Sequence, residues 1–269
     1  MPEPPPASLP CFPKASLVAF SAFNNRYAGR TCYVIGRGPT RFRFAELSRC
    51  PDPVFFINDA VCLEGHARGE TFFFAHDARM RVWLDGAIRA TAVLPLGGKM
   101  FLDQTDAVLN HAGSVVFYGW ASSDPGPLLD LSRAELSARA ELFRHSATIH
   151  SVLHFIWYCG FEEVGFIGCD GLNDPELLAS VYQAPSGYDP RLANRSRTVP
   201  WWEYEGIRRI QDQLCTRLGL RSRYLGTPRP SGYEASRRFI VMAPRGGLQP
   251  LRPQHRPGAQ GNQTESPPS

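Results

Sequence analysis

Four short apolar segments of this chain are each followed directly by residues of the kinds that bind ligands or do chemistry. These residues are Gly36, Arg37, Gly38, Pro39 and Thr40; Asn58 and Asp59; His76 and Asp77; and Gly168, Cys169, Asp170 and Gly171. Glycines let a backbone come close to a phosphate and present amide N–H groups to it. Amide, imidazole and carboxyl side chains supply hydrogen bonds and acid–base chemistry. The pattern predicts a ligand site if the fold brings the four segments together.

Each segment also has a purely structural interpretation. The glycines after Ile35 suit a tight turn as well as a phosphate loop, and they match neither GxGxxG nor a Walker loop. Asn58, Asp59 and Asp77 are residue types that favour the N-cap of a helix. For Asn58 taken alone, the capping role is the more frequent one. The residue types by themselves leave both interpretations open.

The elements that must position these residues are short strands. Six short runs are aromatic or β-branched and do not alternate with polar residues, which is typical of strands covered on both faces of a parallel sheet. The runs are Thr31–Ile35, Val54–Ile57, Thr71–Ala75, Ala90–Leu94, Ser114–Tyr118 and Glu163–Ile167.

Helices are predicted between and after these strands. Ser132 and Glu135 have the spacing of a capping box, which would open a helix. Residues 146–159 and 201–218 carry apolar side chains at helical spacing, and a glycine follows each segment. The alternation of strand and helix predicts an α/β fold with a doubly wound, mostly parallel sheet. In such folds ligands bind at the carboxyl ends of the strands, where all four segments would lie.

Composition narrows the class of protein. The 29 Lys and Arg nearly balance 25 Asp and Glu, and the net charge of +4 includes no block of like charge, which argues against nucleic-acid binding. No apolar run reaches the roughly 18–20 residues of a membrane helix, so no membrane span is expected, although peripheral membrane association stays open. The seven cysteines form no CxxC pair and are expected to be reduced thiols. We therefore expect a cytoplasmic protein.

The two ends of the chain differ from its centre. They are rich in proline and glycine and hold little that could form a core. The sequence predicts a disordered tail at 1–19, one α/β domain at 20–243 and a second disordered tail at 244–269.

A separate group of residues has the spacing of a metal site. His150 and His154 lie four residues apart on a predicted helix, and His145 lies just upstream. The segment lacks the glutamate of a metalloprotease helix, so a structural role for these histidines is the preferred interpretation. No metal ligands are assigned.

Three segments taken together resemble a known family. The segments TCYVIGRGPTRFRFAELSRCPDPVFFINDA, TFFFAHDARM and HSATIHSVLHFIWYCGFEEVGFIGCDG resemble, in this order, the bacterial lipooligosaccharide sialyltransferases of glycosyltransferase family 42. In that family a strand enters a GxGPS-like loop, a second strand ends in asparagine, and a Thr-Ser-Gly helix start precedes a strand and a G-x-D turn. The same skeleton resembles a family that includes hydroxymethylpterin pyrophosphokinases and flagellin-modification proteins. The resemblance covers residues 31–77 and 145–171 and implies a Rossmann-like, GT-A-like domain.

The resemblance implies a role for each matching residue. The nucleotide-phosphate loop would consist of Gly36, Arg37, Gly38, Pro39 and Thr40. Asn58, with Asp59 beside it, would contact the nucleotide. Thr148 falls at the helix start that faces the nucleotide, and Gly168 and Asp170 fall on the strand-end turn that helps to bind it.

The chain departs from the family pattern at several of these positions. Arg37 and Leu172 replace an asparagine and a tyrosine, and Arg195-Ser196-Arg197 stands where the family has a His-Ser-Lys segment with the catalytic base. An arginine cannot act as a base at neutral pH. Arg195 and Arg197 could instead stabilise a departing phosphate. The resemblance also implies a lid at about 172–200.

These observations predict a nucleotide-dependent transferase. It would take a nucleotide-sugar donor, such as a CMP-sugar, and move the sugar to a hydroxyl of a glycan acceptor in surface-glycan synthesis. Asp170, Asp77, Arg195 and Arg197 are the candidate catalytic residues. Two alternatives stay open: a pyrophosphokinase-like enzyme that uses ATP and Mg²⁺, and a non-catalytic nucleotide- or glycan-binding protein on the same fold. Only the first of these alternatives implies a metal ion.

Overall fold

A computed structural model of the chain describes residues 15–36, 51–76, 80–84, 88–96, 108, 110–120, 127–145, 147–169, 201–225, 240–242 and 248–250. The strands are β1 Ser16–Leu17, β2 Thr31–Ile35, β3 Val54–Ile57, β4 Thr71–Phe74, β5 Thr91–Pro95, β6 Ser114–Trp120, β7 Glu141–Leu142, β8 Glu163–Ile167, β9 Arg221–Tyr224, β10 Ile240–Met242 and β11 Leu248–Pro250. The helices are α1 Arg81–Leu84, α2 Arg133–Arg139, α3 Thr148–Tyr158 and α4 Trp201–Arg217. Three 3-10 helices span Phe20–Phe23, Asn58–His66 and Pro127–Asp130.

Nine of the described strands form one sheet in which every strand pair is parallel. The order across the sheet is β1-β6-β5-β4-β3-β2-β8-β9, and the short β7 pairs with the end of β6. β2 lies between β3 and β8. The chain therefore builds the sheet outward from β2 in one direction as far as β6, and then in the other direction through β8 and β9. β10 and β11 form a separate antiparallel pair.

Both faces of the sheet are buried, as the apolar runs predict. Side chains alternate along each strand, so Val34, Phe55 and Phe72 lie on one face and Ile35, Phe56 and Phe73 on the other. The first face packs against α3, α4 and the 3-10 helix Phe20–Phe23, and we call it the α3 face. The opposite face packs against the 3-10 helix Asn58–His66 and α1. The result is an α/β protein with a parallel sheet between two helical layers.

Aromatic rings fill the α3 face. The rings of Phe55 and Phe72, on neighbouring strands, stack with centroids 4.5 Å apart. Phe155 of α3 lies edge-on against Phe72 and Phe74. Aromatic pairs in these offset and edge-to-face geometries add to the free energy of burial. The core therefore fixes α3 across the middle of the sheet.

Predicted and observed element boundaries agree closely. β2, β3 and β8 have the predicted bounds, whereas β4 ends one residue earlier, β5 is shifted by one residue and β6 extends to Trp120. The Ser132–Glu135 capping box is present, with both reciprocal hydrogen bonds. α3 begins at Thr148, with Ala147 at the N-cap, rather than at residue 146. Gly160 and Gly219, at the ends of α3 and α4, both adopt positive φ.

The sheet extends beyond the six predicted strands. Ser16 and Leu17, which the sequence assigns to the N-terminal tail, pair with β6 as β1. β11, within the predicted C-terminal tail, pairs with β10. β7 and β9 were not predicted, because both are short or largely polar segments that carry no apolar run. In the part of the chain that the structure describes, no helix is both long and apolar enough to cross a membrane.

Candidate functional site

The carboxyl ends of β2 and β8 meet where the direction of strand addition reverses. Gly36 follows β2, and its N–H donates a 2.8 Å hydrogen bond to the Ile167 carbonyl at the end of β8. A Cβ atom on Gly36 would lie 2.4 Å from the Gly168 carbonyl oxygen and 3.0 Å from Cys169 Sγ. Gly168 has a φ of +65°. The point of reversal in an open parallel sheet is where ligands bind in such folds. Here the buried backbones of Gly36 and Gly168 pack directly against each other at that point.

Asn58 lies at the carboxyl end of β3, next to β2. Its φ is +55°, and its Oδ1 atom is buried with no hydrogen-bond partner. Ile57, not Asn58, occupies the N-cap of the 3-10 helix, and no side chain caps that helix. The capping interpretation of Asn58 is therefore wrong. The left-handed backbone and the unsatisfied acceptor each cost free energy of folding, and functional sites are where proteins retain such costs. Asp59, beside it, is fully buried.

The N-terminus of α3 lies at the same edge of the sheet. α3 follows β7, which pairs with the carboxyl end of β6, and it precedes β8, whose first residue pairs with the first residue of β2. The helix therefore runs from the carboxyl edge back to the amino edge. Thr148 is its first residue, and the N-cap residue Ala147 supplies no side-chain hydrogen bond. The first-turn N–H groups and the positive end of the helix dipole favour an anion here.

A polar and aromatic cluster lies beside this helix start. His76 follows β4, and its Nε2 lies 2.6 Å from the Tyr118 hydroxyl of β6. The His76 ring packs edge-on against Trp120, with centroids 5.3 Å apart. The Arg144 guanidinium carbon lies 3.6 Å from the Trp120 ring centroid. We call His76, Tyr118, Trp120 and Arg144 the His76 cluster.

Electrostatics keep the His76 imidazole neutral. Burial lowers the pKa of His76 to about 3, and the charges of Arg144 and of a protonated His150 act in the same direction. Burial also raises the pKa of the Tyr118 hydroxyl. The pair therefore consists of an uncharged imidazole and an uncharged phenol at neutral pH, joined by a short hydrogen bond. Because both groups start uncharged, the pair can accept a proton at the imidazole or donate one from the phenol.

The helical histidines bind backbone groups. His154 Nδ1 accepts a 2.9 Å hydrogen bond from the Phe143 N–H, and His150 Nε2 lies 3.3 Å from the Ile207 carbonyl of α4. Burial lowers the pKa of each ring to about 3. The described residues contain no group of three His, Cys, Asp or Glu side chains placed to hold a metal ion. The two rings tie α3 to its surroundings, which supports the structural interpretation.

The structure brings together only part of the predicted site. Gly36, Asn58, Asp59, Thr148 and Gly168 all lie at the carboxyl edge, on the strands and helix expected to carry them. Other predicted residues lie outside the described residues, as does the predicted lid at 172–200. These residues are Arg37, Gly38, Pro39, Thr40, Asp77, Asp170, Arg195 and Arg197.

Sequence reasoning did not assign the His76 cluster to the site. His76 was identifiable as a residue following a strand. Its contact with Tyr118 depends on β5 lying between β4 and β6, which a linear pattern does not give. The available sequence signal was Tyr118 at the end of the fifth run, with Trp120 two residues further on, a spacing that puts both aromatic side chains on the same face of a strand.

Comparison with known proteins adds no further constraint. No protein-family model matches the chain, and no curated protein matches it at a significant level.

Proposed function

We propose that this chain is a nucleotide-dependent transferase whose donor binds at the carboxyl edge of the sheet, over Gly36, Asn58, Gly168 and the start of α3. The observation that carries the proposal is the close approach of Gly36 to Gly168 between β2 and β8. A Cβ atom at Gly36 would collide with the Gly168 backbone, so the two strand ends pack together with no side chain between them, at the point where folds of this kind bind their ligands. We take the fold to be Rossmann-like, in the GT-A manner, as the sequence resemblance implies.

Three further features support a nucleotide as the ligand. The Asn58 amide offers a buried acceptor, and its N–H₂ group makes it a paired donor and acceptor for a base or ribose. The start of α3 favours a phosphate. The Arg144 guanidinium, held against Trp120, keeps its edge available for an anion. Together they offer one polar group for the base or ribose of a nucleotide and two positive groups for its phosphate.

The transferase we propose takes a nucleotide sugar, with a CMP-sugar as the first candidate, and a glycan hydroxyl as acceptor. The choice of cytidine rests on the resemblance to family-42 glycosyltransferases. We place the protein in the cytoplasm. This placement is supported by the described cysteines, which form no disulfide bond with one another: Cys32, Cys62, Cys159, Cys169 and Cys215.

Ligand-induced stabilisation tests the proposal. The melting temperature of the full chain would be measured with CMP, CDP, UDP, ATP and GTP, each with and without Mg²⁺. A nucleotide present at 100 times its Kd stabilises the fold by about 2.7 kcal/mol, which is readily detected. We expect a cytidine nucleotide to raise the melting temperature without Mg²⁺. An Asn58→Ala variant should lose most of this shift, while Asn24→Ala, far from the edge, should keep it.

The other outcomes distinguish the alternatives. A shift only with ATP and Mg²⁺ would favour the pyrophosphokinase-like enzyme. A shift with CMP but no turnover of any CMP-sugar would favour the non-catalytic binding protein. If none of the five nucleotides stabilises the chain, the nucleotide site does not exist and both enzyme interpretations fail.

A further inference from the structure

His76 sits where the proposed transfer reaction would need a proton acceptor. It follows β4, two strands from β2, so its backbone lies about 10 Å from the end of β2 along the carboxyl edge. Phe72 and Phe74 of β4 face α3, and alternation puts His76 on that face too, where it meets Tyr118. Part of its surface stays exposed. His76 is therefore close enough to serve the far end of a nucleotide donor.

Tyr118 engages one of the two ring nitrogens of His76. The Nε2 atom lies 2.6 Å from the Tyr118 hydroxyl, and either group can donate the proton of this hydrogen bond. When Nε2–H donates to the Tyr118 oxygen, Nδ1 carries no proton and can act as a base. When the Tyr118 hydroxyl donates, the proton of the neutral ring sits on Nδ1. A base at Nδ1 therefore requires the first of these two tautomers.

We propose that His76 is the proton acceptor for the acceptor hydroxyl in the transfer reaction, and that Tyr118 is a positioning residue that holds its Nε2–H. This inference rests on the proposed transferase function. It supplies the base that is missing where the resembled family has a histidine and this chain has Arg195-Ser196-Arg197.

The step balances without any further reactant. The acceptor oxygen forms a bond to the anomeric carbon while its O–H bond breaks, and the proton passes to His76 Nδ1. The bond from the anomeric carbon to the donor phosphate oxygen breaks, and its electron pair leaves with the nucleotide. The product complex holds an imidazolium hydrogen-bonded through Nε2–H to Tyr118 and a nucleotide with one more negative charge.

The groups facing His76 suit this change of charge. Burial is the largest cause that lowers the pKa of His76 in the unliganded protein, and the charges of Arg144 and of a protonated His150 add to it. His145 in turn faces His150. Tyr118 and Trp120 are uncharged neighbours. The phosphate of a bound donor would offset the charge of Arg144 and so remove one of the smaller contributions to the low pKa of His76. Burial continues to favour the neutral imidazole, which is the form that can accept a proton.

Turnover of a defined probe tests the role of His76. CMP-sialic acid would be incubated with the full chain, with water or lactose as acceptor, and released CMP measured as kcat and KM. A lost general base costs about 10²–10⁴-fold in rate. We expect His76→Gln to lower kcat within that range while KM and the CMP-induced melting shift stay within twofold. Tyr118→Phe should lower kcat about tenfold, and the exposed His66→Gln should match the wild type.

Several results would overturn the inference. One is a His76→Gln kcat within threefold of the wild type. Another is loss of kcat in Asp77→Asn but not in His76→Gln, which would assign the base to Asp77. A wild-type chain that binds CMP but releases none from CMP-sialic acid removes the catalytic step and leaves nucleotide binding intact. A chain that binds no nucleotide fails the proposed function itself.

A tautomer measurement keeps the inference testable if His76→Gln does not fold. Two-bond ¹H–¹⁵N correlation NMR of the ¹⁵N-histidine-labelled wild type at pH 7 reports which ring nitrogen carries the proton. We expect a neutral His76 ring protonated at Nε2, with the assignment made by loss of the signal set in His76→Asn. A ring protonated at Nδ1 contradicts the proposal, whatever the turnover assay shows.

Discussion

A Cβ atom on Gly36 would lie 2.4 Å from the carbonyl oxygen of Gly168. These residues follow adjacent parallel strands, β2 and β8, at the point where the sheet changes direction. The obstacle is backbone rather than a flexible side chain, so it cannot move aside by changing rotamer. The close approach makes position 36 a sensitive test of the carboxyl edge.

Substitution of Gly36 should therefore damage both stability and binding. We expect Gly36→Ala to lower the free energy of unfolding by about 1–3 kcal/mol, the usual cost of forcing an extra methyl into a packed place. The nucleotide-induced rise in melting temperature should be lost as well. Gly65→Ala is the matched control, because an added Cβ there meets nothing within 4 Å. Equal stability of the two variants in urea unfolding would contradict the close approach.

Substitution of Asn58 should abolish nucleotide binding with little change in the stability of the fold. Asn58→Gly relieves a left-handed backbone strain of about 1–2 kcal/mol, which roughly offsets the extra backbone entropy of glycine of about 0.5–1 kcal/mol. We expect stability within about 1 kcal/mol of the wild type, and loss of the nucleotide-induced shift.

Asn25 provides the comparison for Asn58. Its φ is +54°, but its Oδ1 accepts a 2.7 Å hydrogen bond from Arg133. Asn25→Gly should cost about 1 kcal/mol more than Asn58→Gly, because it removes this bond, and it should leave nucleotide binding unchanged. Chemical denaturation and melting curves with CMP measure both quantities. A stable, nucleotide-responsive Asn58→Gly variant would exclude Asn58 from the site.

The buried histidines should make the fold sensitive to acid. The pKa of His154 is lowered by burial to about 3, below the ordinary value near 6.5 in the unfolded chain. Between these values the unfolded state binds the proton and the folded state does not, so stability falls as the pH drops below about 7 toward 3. One such histidine costs about 2 kcal/mol between pH 7 and pH 5.

Removal of one buried histidine should flatten this dependence. We expect the loss of unfolding free energy from pH 7 to pH 5 to be smaller in His154→Gln than in the wild type by about 2 kcal/mol. Glutamine retains an acceptor for the Phe143 N–H. Because its shape differs from that of the buried imidazole, it will lower the free energy of unfolding at both pH values. An unchanged difference between the two pH values would show that His154 does not contribute to the acid sensitivity.

Arg133 should stabilise the C-terminal end of α3. Its Nε donates to the Trp157 carbonyl at 2.9 Å, and its guanidinium carbon lies 4.9 Å from the Trp157 ring centroid. We expect Arg133→Ala to cost about 1–2 kcal/mol, the range for partly exposed hydrogen bonds from a charged donor. The exposed Arg139→Ala, on the same helix, should cost less than about 0.5 kcal/mol. Equal losses in the two variants would assign Arg133 no special role.

Local sequence signals specified most of the core elements. In β2, β3 and β8 the side chains on both faces of the strand are apolar, because both faces of a parallel sheet are covered. The Ser132–Glu135 capping box and the glycine after α3 depend on contacts within a few residues, so their spacing is enough to predict them. β7 and β9 carry no such signal, because they are held by pairing with strands formed elsewhere in the chain.

The sequence alone therefore determined a parallel α/β sheet and the ligand-type residues at the ends of its strands. It could not decide between capping and binding for Asn58, because that choice depends on whether the side chain finds a partner in three dimensions. Nor could it pair His76 with Tyr118, or Gly36 with Gly168, since strand order decides which strand ends are neighbours. Strand order is fixed by the burial of whole faces of the sheet, a property of the tertiary structure.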